Sequence, residues 1–291
     1  MGTHPNGPST VVGGFGQTLS EWIKEQPSSK AGADSLPFLL KVLSVNKPLS
    51  IQAHPTKSHA VELNKQDADT YKDPNHKPEL SVALSPFEAL LGFRPVDQLK
   101  LFFKTVPELS EVIGEEAVGE FSKSEGDATD PLKTCFNNLM TAEQKKVETA
   151  LHKLLKRADE ETRKVQLAEL VERLHEGYPG DVGVFGPYLF NYIQMRPGEA
   201  IYIPPNEPHA YLSGDCMECM ACSDNVVRAG LTPKPKDVPT LVNMLTYLCE
   251  SAESKIFSPE NEDDYTVVFR PPVEDFALAR INVRCRYTAN S

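Results

Sequence analysis

Apolar and polar positions divide the chain into three textures. Short apolar or alternating runs at 36–45, 49–52, 79–84 and 87–93 are separated by Pro, Asn and Asp, a spacing that predicts strands of an antiparallel sandwich or barrel. Ahead of them, Thr18-Leu19-Ser20-Glu21 reads as a capping box opening a short helix with Leu19, Trp22 and Ile23 on its apolar face. A further helix is expected after Thr56, carrying Ala60, Val61 and Leu63. From Pro95 to Gly177 the period becomes helical, starting at 96–104. Asp130-Pro131 reads there as an N-cap with Pro at the first helical position, and Thr141-Ala142-Glu143-Gln144 as another capping box. Val147, Leu151 and Leu154, then Leu170, Val171 and Leu174, recur at helical spacing, with Gly177 as a stop. Residues 122–130 read as a polar loop and 157–164 as a break. Strand texture returns at 188–195, 199–203, 209–212, 218–222 and 226–229, followed by a helix at 237–247, a polar linker at 249–264, and strands at 265–270 and 276–283.

The 291 residues suffice for one large domain or two modest ones, and the apolar and charged fractions are those of a soluble globular protein. The net charge of -11 argues against a nucleic acid as main partner, since a phosphate backbone calls for a basic face. The most apolar stretch, 36–45, is short and contains Lys41, so no membrane segment is expected. The opening Met-Gly-Thr-His-Pro lacks the basic and apolar regions of a secretory signal. Six cysteines are scattered through a chain too large to need staples, which reads as free thiols in a reducing cytoplasm.

Four segments carry candidate chemistry. In Gln52-Ala53-His54, residues two apart share a strand face, so the amide and the imidazole either reach one ion together or line a polar groove. In Lys77-Pro78-Glu79, the carboxylate beside an ammonium is either a salt bridge or a metal ligand beside an acid–base group. The run from Pro197 to Tyr211 has a turn, a strand, a Pro-rich bend and His209 at the next strand start, the pattern of the second half of a cupin barrel. Gln52, His54, Glu79 and His209 would form a set of nitrogen and oxygen ligands suited to Zn²⁺, Fe²⁺ or Mn²⁺. The C-x-x-C-x-x-C run of Cys216, Cys219 and Cys222 lacks a fourth cysteine at cluster spacing and reads as packing. Glu218 and Arg228, close after His209, read as a base and an anion binder, or as an ordinary ion pair.

These motifs converge. LPFLLKVLSVNKPLSIQAHP (36–55), DPNHKPEL (73–80) and GEAIYIPPNEPHAYLSGDCMECMACSDNVVRAGLTPK (198–234) together resemble the type I phosphomannose isomerases, and the similarity continues through 92–96 and 178–183. The resemblance implies a mainly β fold with an α-helical insertion. A cupin (jelly-roll) catalytic domain would be built from 1–95 and 178–250, a helical insertion domain from 96–177, and a linker with the remnant of a second cupin-like domain from 251–291. It implies a monomeric, cytoplasmic enzyme with one Zn²⁺ per chain that interconverts mannose 6-phosphate and fructose 6-phosphate through a cis-enediol, supplying mannose for GDP-mannose synthesis. Position by position, the zinc ligands fall on Gln52, His54, Glu79 and His209, and the catalytic arginine on Arg228. Lys77 and Glu218 match further active-site positions as proton carriers. Lys41 matches another, and with Ser50 nearby it is expected to contact the phosphate.

Against a net charge of -11, a local cluster of Lys41, Lys77 and Arg228 must attract the anionic sugar; salt screens the opposing far field beyond ~8 Å. The resemblance also implies a shortened scaffold. Family members have a segment before the MGTHP motif, with strands and an active-site acid, and continue past 283 into a second cupin-like domain, whereas 286–291 match nothing. Reduced stability and aggregation are therefore expected. Two competing readings follow: an inactive zinc-binding cupin fragment, and an iron-dependent cupin oxygenase, the latter disfavoured by Gln52 standing where a histidine is needed.

Overall fold

The computed structural model describes residues 1–26, 35–157 and 167–283. Eight strands form the central β structure: β1 (Phe38–Val45), β2 (Ile51–Ala53), β3 (Glu79–Ala83), β4 (Phe87–Phe93), β5 (Phe190–Met195), β6 (Ala200–Ile203), β7 (His209–Ala221) and β8 (Val227–Gly230). All pair antiparallel. One layer runs β5-β4-β7-β2-β8, and the other joins β1, β7, β3 and β6. The chain thus has the mainly antiparallel β architecture with added helices that the patterning predicts.

The strands expected separately at 209–212 and 218–222 are one 13-residue strand. Its first half pairs with β4 and β2, its second with β1 and β3, so β7 turns the corner between the layers. Gly214 makes that corner at φ +99°, where any Cβ would collide with the Pro86 carbonyl. Sequence periodicity breaks at such a residue, which is why one strand reads as two.

Period-2 alternation decides what each strand presents to the interior. On β4, Phe87, Ala89 and Leu91 enter the core between the layers, while Leu90 faces the helices. On β7, Tyr211 joins that inner core and Ala210 and Leu212 face outward to the helices. Past the corner, Cys216 lies in the inner core and Cys219 in a third cluster with Leu80, Val82 and Phe269. The two thiols therefore face opposite sides of one strand. Burial pushes them up to about 12 and about 11, as expected of packing side chains.

The helices are α1 (Leu19–Glu25), α2 (Lys57–Gln66), α3 (Val96–Thr105), α4 (Pro107–Ile113), α5 (Glu115–Lys123), α6 (Thr129–Met140), α7 (Gln144–Arg157), α8 (Ala168–Gly177), α9 (Gly186–Leu189) and α10 (Val238–Met244). The capping box at Thr18 and Glu21 forms as predicted. The other two expected starts do not. Helix α6 begins at Thr129, with Asp127 Oδ1 accepting from the Thr129 amide, so Pro131 falls inside the first turn. Thr141 turns back to donate to the Asn137 carbonyl and closes α6, and α7 begins only at Gln144. Both predicted caps had a competing acceptor or donor nearby that sequence spacing does not rank. The expected break at 157–164 and the tail at 286–291 lie almost wholly outside the described residues.

Helices α3–α8 share their core with the barrel. One buried cluster runs from Ile51, Ala53 and Leu90 through Phe93 to Phe121, Leu132, Phe136, Leu151 and Leu174. Phe93 stacks on Tyr247 at 5.2 Å and meets Phe136 edge-on at 5.6 Å. Beyond the barrel, β9 (Glu260–Asn261), β10 (Thr266–Phe269) and β11 (Leu278–Ile281) form a separate three-stranded sheet. The stretch expected as a polar linker is stitched to the barrel: Cys249 bridges Phe93, Ile256 bridges Ile201, and the Phe257 amide donates to the Ala200 carbonyl.

Candidate metal centre

Strand parity brings the chemistry together. Glu79 opens β3 and points inward with Ser81; His209 opens β7 and points inward with Tyr211. Gln52 is the cross-strand partner of both His209 and Arg228, so those three share one face of the sheet. His54 follows two residues after Gln52. Likewise Lys41 on β1 is directly opposite Glu218 on β7.

His54, Glu79 and His209 are all buried, and one ligand atom from each lies within 4.8 Å of the others. His54 Nδ1 donates to the Asn225 carbonyl at 2.6 Å, and His209 Nδ1 to the Glu207 carbonyl at 3.1 Å. These bonds set both tautomers and leave each Nε2 a bare lone pair. The two lone pairs face opposite oxygens of one carboxylate, at 3.4 Å for His54 and 3.3 Å for His209. Neither Nε2 has a hydrogen-bond partner. Acceptors converging on a carboxylate in a dry pocket need a cation between them.

Protonating His54 is no substitute. Burial, reinforced by the Lys77 ammonium, pushes His54 down to about 4, so the ring is neutral near pH 7. Burial works against ionised Glu79, but the Lys77 ammonium 3.1 Å away outweighs it and holds the carboxyl well below the usual carboxylate range. An anionic carboxylate and two Nε2 lone pairs, with no thiolate, suit Zn²⁺, and the donor set fits that ion. The Gln52 amide oxygen accepts from the Ser50 hydroxyl at 3.2 Å, which aims it and leaves a second lone pair.

Around this cluster, Lys77 Nζ is 3.1 Å from Glu79 Oε1, and Lys41 Nζ is 2.8 Å from Glu218 Oε2. Glu218 is buried, and burial together with the Glu79 charge raises its pKa against the pull of Lys41. No hydrogen bond or ion pair holds the Arg228 guanidinium among the described residues. A cavity of about 300 Å³ opens beside the cluster, lined by Met1, His4, Lys41, Lys77, Met220 and Asp224. A larger one of about 660 Å³, against Glu88, Arg173 and Tyr192, touches none of these site residues.

Sequence reasoning passed over three supports. Asn225, fully buried, donates from Nδ2 to the Asp73 and Asn75 carbonyls while its own carbonyl holds His54. Tyr211 and Ser81 join hydroxyls at 2.5 Å beside Glu79. The last two stand two residues after His209 and Glu79, so strand parity alone carried a signal for them. Asn225 lies in a loop, where no periodicity marks it.

A buried mononuclear site of nitrogen and oxygen donors inside an antiparallel barrel defines a metal-dependent enzyme of the cupin type. Residues 1–96 match the family model of the type I phosphomannose isomerase catalytic domain, and residues 109–190 that of its helical insertion domain. Mannose-6-phosphate isomerase of Macaca fascicularis is 45% identical over 97% of this chain and 71% of its own length. Mannose-6-phosphate isomerase 2 of Arabidopsis thaliana is 43% identical over 96% of this chain and 68% of its own. Among solved structures, a zinc-bound mannose 6-phosphate isomerase superposes with TM-score 0.78 at 34% identity, and a mutant phosphomannose isomerase from Salmonella typhimurium with 0.82 at 32%. Each covers 96% of this chain, and the match spans 73% of theirs. The chain belongs to the type I phosphomannose isomerase family.

Proposed function

We propose that the chain interconverts mannose 6-phosphate and fructose 6-phosphate, with one zinc ion held by Gln52, His54, Glu79 and His209. The observation that carries this reading is the pair of buried, partnerless Nε2 atoms converging on Glu79. When bound there, zinc supplies Lewis acidity toward the oxygens of the sugar's first two carbons.

The protein's own groups do the proton work. Glu218 takes the proton from C2 of the aldose; the C2–H pair becomes the C1=C2 bond of a cis-enediol as the carbonyl oxygen gains a proton. Return of the proton to C1, with loss of the O2 hydrogen, leaves the ketose. The raised pKa of Glu218 suits a group that must both accept and release a proton. Lys77, the second proton-carrier candidate, is committed to Glu79 and keeps that carboxylate ionised. Arg228, unengaged on the same face as Gln52, stabilises negative charge on the diol oxygens. Lys41 and Lys77 line the cavity that takes the phosphate. Ser50, placed in the substrate set by its position in the sequence, serves that set through the Gln52 amide it orients.

From the family resemblance we further infer a monomeric cytoplasmic enzyme supplying mannose for GDP-mannose synthesis; the five cysteines among the described residues are free, and no helix there is long and apolar enough to cross a membrane. The test is conversion of mannose 6-phosphate by the purified chain, before and after chelation and with zinc restored. Activity lost on chelation and recovered with zinc is expected. Turnover by fully zinc-stripped protein, or none from soluble zinc-loaded protein, would overturn the reading.

A further inference from the structure

Three polar groups on the turn that delivers His209 are held. The Glu207 carbonyl accepts from His209 Nδ1, and the Pro208 carbonyl accepts from the Gly92 amide at 2.8 Å. The Glu207 carboxylate, 4% exposed, is gripped by Lys255 Nζ, whose residue is 8% exposed. Lys255 holds Glu250 Oε2 as well, at 2.7 Å.

Gly92 makes the room. It is the bulge in β4 where the register shifts between Leu91 and Phe93, its φ is +65°, and a Cβ there would collide with Glu207 Oε1 and come within 2.9 Å of Lys255 Nζ. Lys255 ends a short 3-10 turn, Glu253–Lys255, in the segment stitched to the barrel by Cys249 and Ile256. A lysine 46 positions after the histidine, in sequence that reads as linker, thus reaches under the metal centre.

We propose that Lys255 is a positioning residue for that centre. By clamping the Glu207 side chain beneath the Gly92 bulge, it holds the Glu207 carbonyl that sets the tautomer and aim of the His209 ring. The role goes beyond the proposed isomerase reading and rests on the metal assignment within it. A buried ion pair is weak evidence for a stabilising role, because desolvation offsets attraction, whereas fixing one conformation is a use that such pairs are known to serve.

The experiment measures zinc affinity of the full chain by competition with a chromophoric chelator, alongside melting of the metal-free protein. The variants are Lys255→Met, Lys255→Met with Glu207→Gln, and Glu250→Gln. We expect Lys255→Met to weaken zinc binding roughly 10- to 100-fold, the range for residues that orient a ligand through its second nitrogen. The double variant removes the unpaired buried charge, so its metal-free melting recovers while its zinc affinity stays low. Glu250→Gln, at the half-exposed partner, leaves affinity within about twofold. A double variant that binds zinc like the parent shows that the pair only stabilises the fold and overturns the proposal; it decides the matter even where Lys255→Met fails to fold. A parent protein that retains no zinc overturns the metal assignment instead, a distinct result.

Discussion

Replacing Asn225 by alanine tests whether the metal centre is held by its loops. The Asn225 amide donates to the Asp73 carbonyl at 2.6 Å and the Asn75 carbonyl at 2.9 Å, tying the segment that leads into Glu79 to the loop whose carbonyl orients His54. Alanine removes both donors. The Asn75 carbonyl keeps the Ser223 hydroxyl at 3.2 Å, but the Asp73 carbonyl loses the amide that holds it. Two hydrogen bonds at about 1 kcal/mol each, plus a partly desolvated carbonyl, cost roughly 2–4 kcal/mol. For a chain of this size that lowers Tm by on the order of 10 °C. Freed from its tether, the 223–225 loop no longer fixes the His54 tautomer, so zinc affinity falls about 10- to 100-fold. Thermal melting with and without zinc, and chelator competition, measure the two effects separately. A variant with the parent's Tm and zinc affinity refutes the reasoning; one that melts lower yet binds zinc equally well confines Asn225 to the fold.

Further outcomes are expected. In the metal-free protein, His54 titrates near 4 when folded and near 6.5 when unfolded, so between those values only the unfolded chain binds the proton and stability falls as pH drops, by up to roughly 3 kcal/mol. Urea unfolding at pH 7 and pH 5 checks this, and equal stability at both contradicts it. Lys41→Met removes the charge that restrains Glu218, so the acidic limb of the kcat/KM profile moves to higher pH; an unmoved limb separates Glu218 from the proton transfer. Phe93→Ala empties a fully buried site where barrel and helices meet, at a cost of about 3–5 kcal/mol, and a smaller loss in chemical denaturation would mean that the two parts do not share a core.

Much of this protein was legible in one dimension. The strand runs, the helical stretch and the capping box at Thr18 follow from periodicity and local hydrogen bonding, which are short-range and survive without a fold. The long composite motifs pointed to the family, and the comparisons place the chain there. Alternation already paired Gln52 with His54, two residues apart, on one face. What periodicity does not contain is registry between strands. That Gln52 pairs across to both His209 and Arg228, and that β7 is one strand bent at Gly214 rather than two, depends on close approach of Pro86, which is distant in sequence. The same holds for the supports of the centre. Asn225, the Glu207 carbonyl and Lys255 act through bonds to residues brought near only by closure of the barrel, and their sequence surroundings carry no period to mark them. The donor types of the candidate metal centre thus stood in the sequence, while the convergence of two bare Nε2 atoms on one carboxylate was decided by tertiary packing, because only a dry interior makes unpaired lone pairs costly enough to call for a cation.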